Sequence, residues 1–168
     1  MKKTWFGDTY DIAKRFMIEA AKNLFKSEVD IDPMLNDNFE NINMYYKFLN
    51  GTPIEKNSGS LLFIDPDKGV AKKDSTEHIN YKKIQMHAMN YKMIMIYDQS
   101  FSRAKEQGIK MQMKNKLEAL NEFDLNGIYY RSHVNFLFCS YNTSMLANYK
   151  SYLIEIGLPY ERFFENKK

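Results

Sequence analysis

The chain has 168 residues, 44% hydrophobic and 15% aromatic, which excludes a disordered composition and gives enough apolar side chain for one domain spanning residues 1–168. A formal net charge of +3 is too small to establish nucleic-acid binding, although lysines cluster at Lys72-Lys73, Lys82-Lys83 and residues 110–116. No apolar run is long enough to cross a membrane, and Met1-Lys2-Lys3 leads into Trp5-Phe6-Gly7-Asp8 rather than a signal-peptide core, so a cytoplasmic protein without membrane contact is expected.

In chain order, Asp8 or Thr9 caps a helix beginning near Tyr10, in which Ile12, Ala13, Phe16, Met17, Ala20, Ala21 and Leu24 recur at helical spacing as one apolar face. A short strand, 28–32, ends at Pro33. Phe39 to Leu49 reads as a second helix, stopped by Asn50-Gly51-Thr52-Pro53. After the apolar strand 61–64 a polar loop runs to about Glu77, and 79–89 offers a third helix. Met93 to Tyr97 is another wholly apolar strand, followed by a long helix from Ser100 or Ser102 to about Phe123, with a break possible at Gly108. Ile128–Tyr130 and Val134–Cys139 pair as a closing antiparallel hairpin at the sheet edge. Thr143 or Ser144 then caps a last helix that Gly157 ends. Strands alternating with helices predict an α/β fold: a compact Rossmann-like, mostly parallel sheet with helices on both faces and a C-terminal antiparallel hairpin.

Leu61-Leu62-Phe63-Ile64 stops at Asp65-Pro66-Asp67-Lys68-Gly69. An unalternating apolar run followed by breakers reads as a strand buried on both faces of a parallel sheet. Ligands in such sheets sit outside the carboxyl ends of the strands, which makes Asp65 and Asp67 candidate functional groups. The same residues are also good turn chemistry. Asp98-Gln99 ends the second apolar strand in the same way. If the two strands are neighbours, Asp65, Asp67, Asp98 and Gln99 converge at one rim, with Asp8, Asp11 and Lys14 brought near by the first helix.

Three segments carry a resemblance. Gly7-Asp8-Thr9-Tyr10-Asp11-Ile12-Ala13-Lys14, Phe63-Ile64-Asp65-Pro66-Asp67-Lys68-Gly69-Val70 and Tyr97-Asp98-Gln99-Ser100-Phe101-Ser102-Arg103 resemble the motifs of an uncharacterised bacterial family. That family is distantly similar to S-adenosylmethionine-dependent adenine-N6 methyltransferases of ribosomal RNA. The resemblance implies a methyltransferase-like fold in which Asp65 hydrogen-bonds a substrate amino group. It also implies that Asp8, Asp11 and Lys14 lie near the cofactor, with Arg103 as a basic residue beyond the later strand. The departures are specific. No glycine lies between Gly7 and Gly51, where the enzymes need a glycine turn for close approach to the cofactor, and Lys68 stands where they place a base-stacking aromatic. Only about 35 residues separate the first helix from the Asp65 strand, room for one strand and one helix rather than three strands.

Three functions therefore stay open. The first is a methyltransferase-like domain acting on or binding a nucleotide or nucleic acid, with S-adenosylmethionine as cofactor or with the cofactor half reduced or lost. The second is a phosphodiesterase or nuclease holding Mg²⁺ or Mn²⁺ on Asp65, Asp67 and Asp98. The third is a non-enzymatic, phage-type inhibitor of a host protein complex. Against all three stands an inert, internally paired charge cluster in which Asp11 and Lys14 form an ordinary helix-spaced ion pair, and Asp8 is a plain N-cap. His78, His87 and His133 share no zinc spacing, and His133 reads as a turn residue. The lone Cys139 reads as a buried structural thiol, and Met86, Met89, Met93, Met95, Met111 and Met113 as core filling.

Overall fold

The computed structural model describes residues 7–34, 41–54, 59–101 and 106–165. In chain order these form α1 (Thr9–Phe25), β1 (Val29–Asp32), α2 (Ile42–Leu49), β2 (Thr52–Pro53), β3 (Leu61–Ile64), β4 (Gly69–Val70), β5 (His78–Ile79), α3 (Tyr81–Ala88), β6 (Met93–Tyr97), α4 (Glu106–Asn121), β7 (Asn126–Tyr130), β8 (Phe136–Ser140), α5 (Thr143–Glu155) and β9 (Phe163–Glu165). The expected helix starts at Phe39 and Ser102, and Arg103, lie outside the described residues.

Seven strands make one sheet in the order β2-β1-β3-β6-β8-β7-β9. The first four are parallel, and β8 runs antiparallel to both β6 and β7, so the α/β class, the parallel centre and the C-terminal hairpin stand as the sequence predicts. The hairpin is not at the sheet edge, however. β9 pairs antiparallel with β7 and takes that place. Short, half-buried Phe163–Glu165 has too few residues for an alternation signal to show.

The two apolar runs are central because both faces of the sheet are covered. Leu61, Phe63, Met93, Met95 and Tyr97 pack with α1, α2 and α5, whereas Leu62, Ile64, Ile94 and Ile96 pack with α3 and α4. Each fully buried side chain of this size contributes about 1.5–3 kcal/mol of transfer free energy, so the strand pair alone anchors both layers. Cys139 lies in the α3/α4 layer, and burial pushes its thiol well above the usual range, as befits a structural residue.

Several expectations are corrected. Asn142, not Thr143 or Ser144, caps α5, its side chain accepting from the Met145 amide at 3.2 Å. Gly108 lies within α4 without ending it. The polar loop before Glu77 contains β4, which pairs in parallel with β5. Met93, Met95 and Met113 fill the core, but Met86, Met89 and Met111 are exposed. The inward stripe of α1 is also rotated from the apolar pattern: Asp11, Lys14, Met17, Ile18, Ala20 and Ala21 are buried, while Ile12 and Phe16 face outward.

Gly69 shows how tightly β4 is docked. Its φ is +111°, and a Cβ there would overlap Asp98 Oδ1 and lie 2.9 Å from Asp98 Cα. Replacement by alanine meets both backbone strain and a buried carboxylate that cannot retreat. Gly69→Ala is expected to lower the unfolding free energy by about 2–4 kcal/mol, read from the urea midpoint at unchanged slope.

Candidate functional site

Asp65 is the first residue beyond β3, and its amide donates to the Asp32 carbonyl at 2.9 Å, so the β1–β3 pairing holds it at the carboxyl rim. Its carboxylate turns toward α1 and α2. The Lys14 ammonium donates to Asp65 Oδ2 at 2.8 Å and to Asp11 Oδ1 at 3.1 Å. The Tyr45 hydroxyl, from α2, donates to the same Oδ2. Asp11 is held in turn by the Gly7 amide, which donates to Oδ2 at 2.9 Å. The Lys14 ammonium also lies 4.5 Å from the ring centre of Tyr97, the last residue of β6.

Three of the residues named from sequence therefore meet: Asp11, Lys14 and Asp65. The helix spacing of Asp11 and Lys14 makes them neighbours on one face, and the strand end supplies Asp65. Tyr45 and Tyr97 complete the cluster and were not among the candidate site residues. Tyr97 was legible, because it sits opposite Asp65 by the β3–β6 register. Tyr45 required knowing that α2 packs beside α1.

Burial decides the electrostatics. Asp65 keeps 9% of its side-chain surface exposed and Lys14 7%. Desolvation pushes the Asp65 carboxyl above its ordinary value, and the Lys14 ammonium only partly offsets this. Desolvation pulls Lys14 down, but the two carboxylates outweigh it and its ammonium ends above 10.5. Burial beside Asp65 raises Tyr45 well above a free phenol, so it is a donor. Both donors to Asp65 use Oδ2, and Oδ1 takes no hydrogen bond from a described residue. One acceptor position at the rim is thus left for an incoming donor.

Asp98 does not join this group. The register sets Asp65 opposite Tyr97, so Asp98 is one residue further along and on the opposite face of the sheet. There it is fully buried. Its Oδ1 accepts from the Val70 amide at 3.1 Å, the Ser100 amide at 3.1 Å and the Ser100 hydroxyl at 2.5 Å. Its Oδ2 accepts from Lys116 at 2.7 Å and Tyr129 at 2.6 Å. Both oxygens are saturated by β4, α4 and β7, which makes Asp98 a structural hub. Desolvation holds the Lys116 ammonium below its ordinary value despite that partner.

The remaining candidates separate as well. Asp67 is exposed on the turn before β4, and Gln99 donates to the His133 carbonyl at 3.3 Å. Asp8 is the N-cap of α1, its carboxylate accepting from the Tyr10 and Asp11 amides. The expected convergence of Asp65, Asp67, Asp98 and Gln99 therefore fails, because a period of two sends consecutive strand-end residues to opposite faces. Among the described residues no three His, Cys, Asp or Glu side chains are grouped to hold a metal ion. Comparison with protein-family models, with curated proteins and with solved structures finds no match for the chain.

Two outcomes are expected. Asp98→Ala leaves Lys116 buried without its carboxylate and costs about 3–5 kcal/mol in denaturant unfolding. The raised Lys14 value means that its contribution is fully present below the ordinary lysine value of 10.5 and is lost as pH climbs through the higher folded value. The stability difference between wild type and Lys14→Met, measured from pH 9 to beyond that folded value, is therefore expected to shrink on the alkaline side. Its steepest slope there is about 1.4 kcal/mol for each pH step of one.

Proposed function

We propose that this chain is a methyltransferase-like domain that binds a nucleotide or nucleic-acid base at the Asp65 end of β3, with its cofactor half reduced. The observation that carries the reading is Asp65 itself. It is a nearly buried carboxylate at the carboxyl rim of a parallel sheet, with one oxygen committed to Lys14 and Tyr45 and the other accepting from no described residue. An exocyclic amine such as that of adenine is a fitting donor for such an oxygen. The Rossmann-like sheet with its parallel centre agrees with the frame that the methyltransferase resemblance implies. Lys14, fixed between two carboxylates, supplies the positive charge that keeps Asp65 oriented.

The cofactor half is where the residues present do not fit S-adenosylmethionine. β1 runs into Asp32-Pro33-Met34 rather than a glycine turn. The left-handed position is occupied by Met34 at φ 46°, whose amide is tied to Asp32 Oδ1 at 3.0 Å. A side chain stands where backbone has to approach the cofactor. The reading is therefore one of base binding, and no transfer step is derived.

Titration with adenosine monophosphate and with the N6,N6-dimethyl analogue separates the amine contact from everything else. The parent nucleotide is expected to bind, and the analogue, lacking the amine hydrogens, to bind about tenfold to a hundredfold more weakly. Equal affinity for the two, or no heat with the parent at millimolar concentration, overturns the assignment.

A further inference from the structure

The apolar face of α1 is not wholly taken into the core. Ile12 and Phe16 remain 58% and 41% exposed. With Ala13 and Met17 they form one wall of a groove of about 430 Å³, and Tyr130, Val134 and Phe136 of the β7–β8 hairpin line the other. That volume is in the range that takes small molecules.

The groove lining is basic at one end, where Asp8, which precedes the lining residue Thr9, is engaged as the N-cap of α1. Among the described residues no carboxylate lines it, and its basic side chains are Arg162 and His133. Both belong to the end where α1 begins. The Arg131 amide donates to the Arg162 carbonyl at 2.8 Å, just beyond β7, and the His133 ring meets Tyr10 edge-on at 6.2 Å between centres. From Thr9 to Met17 the helix advances about 12 Å along the apolar wall. Neither the Arg162 guanidinium nor the His133 imidazole has an ion pair or hydrogen bond to a described residue. A basic end and an apolar trough thus follow one another along a single helix.

We propose that this groove binds a small amphipathic anion, with its apolar chain or ring against Ile12, Phe16 and Phe136 and its carboxylate or phosphate head on Arg162 and His133. Apolar contact supplies most of the affinity, and the guanidinium fixes orientation through a charge-assisted pair. The site is separate from the Asp65 carboxylate. Tyr97 stands between them, its ring against Lys14 on one side and 5.9 Å from Phe136 on the other.

Octanoate and 1-octanol share a chain and differ in the head, so an amide-resolved magnetic resonance titration with each tests the proposal. Octanoate is expected to shift the Ala13 and Val134 resonances and to bind about tenfold more tightly than octanol. Arg162→Gln, an exposed position outside the Asp65 cluster, is expected to abolish that preference. Ile12→Ser, also exposed, is expected to weaken both ligands. Equal binding of acid and alcohol by wild type, a preference that survives Arg162→Gln, shifts confined to other parts of the molecule, or no shifts at all would each overturn the site. None of these results bears on adenine binding at Asp65, whose failure is read from the nucleotide titration.

Discussion

Two adjacent parallel strands end in buried carboxylates, and each carboxylate demands a cation from the layer on its own side. This constraint organises the molecule. The β3–β6 register and the two-residue period turn Asp65 toward α1 and Asp98 toward α4. An unpaired buried carboxylate is far more costly than any single apolar contact can offset. Lys14 must therefore reach down from α1 and Lys116 from α4. The ion pairs add little net stability over an apolar alternative, but losing one partner is severe, so they act as register pins for helix against sheet.

The rotation of α1 follows from the first pin. Placing Asp11 and Lys14 inward, with about 100° between consecutive residues, turns Ile12 and Phe16 to the far side of the helix axis. A helix free to follow hydrophobicity alone would bury those two and expose Lys14. The charge requirement wins because a desolvated carboxylate left without its cation costs several kcal/mol, whereas Ile12 and Phe16 stay partly covered and forfeit only a fraction of the about 1.5–3 kcal/mol that full burial of each supplies. The exposed trough beside the β7–β8 hairpin is thus a consequence of the same cluster that orients Asp65.

The central layer was legible because it rests on strong local signals. Leu61–Ile64 and Met93–Tyr97 have the expected bounds, since an unbroken apolar run ended by polar residues has few other solutions in a chain with helices between. The short peripheral strands were not. β2, β4, β5 and β9 have two or three residues each, too few for any period. The site was half legible. Asp65 emerged from its place at a strand end, and Asp11 and Lys14 from the resemblance, but treating acidic strand ends as one pole ignored which face each side chain takes. Lys116 and Tyr129 were missed because nothing in sequence ties a mid-helix lysine to a carboxylate 18 residues earlier. Asp30, inside β1, was missed similarly. Its oxygens accept from Thr52 at 2.6 Å and Tyr91 at 3.0 Å, contacts that exist only once β2 and the segment leading into β6 are in place.

What distinguishes Asp65 from Asp98 is not charge or partner but saturation. Each has a lysine and a tyrosine on Oδ2. Asp98 also fills Oδ1 with two amides and a hydroxyl, because β4 folds over it and Gly69 brings its backbone into contact. Nothing described performs that office for Asp65. A carboxylate closed on every side can only hold structure together, whereas one with a single open oxygen at the carboxyl rim is oriented in advance for a donor that arrives from outside. Lys14 and Tyr45 offset part of the cost of desolvating Asp65 and fix its orientation, so its Oδ1 is held in place without a further partner among the described residues. Two similar strand ends therefore differ in closure because one glycine-led ribbon seals Asp98 on the α4 side, with no counterpart over Asp65 among the described residues.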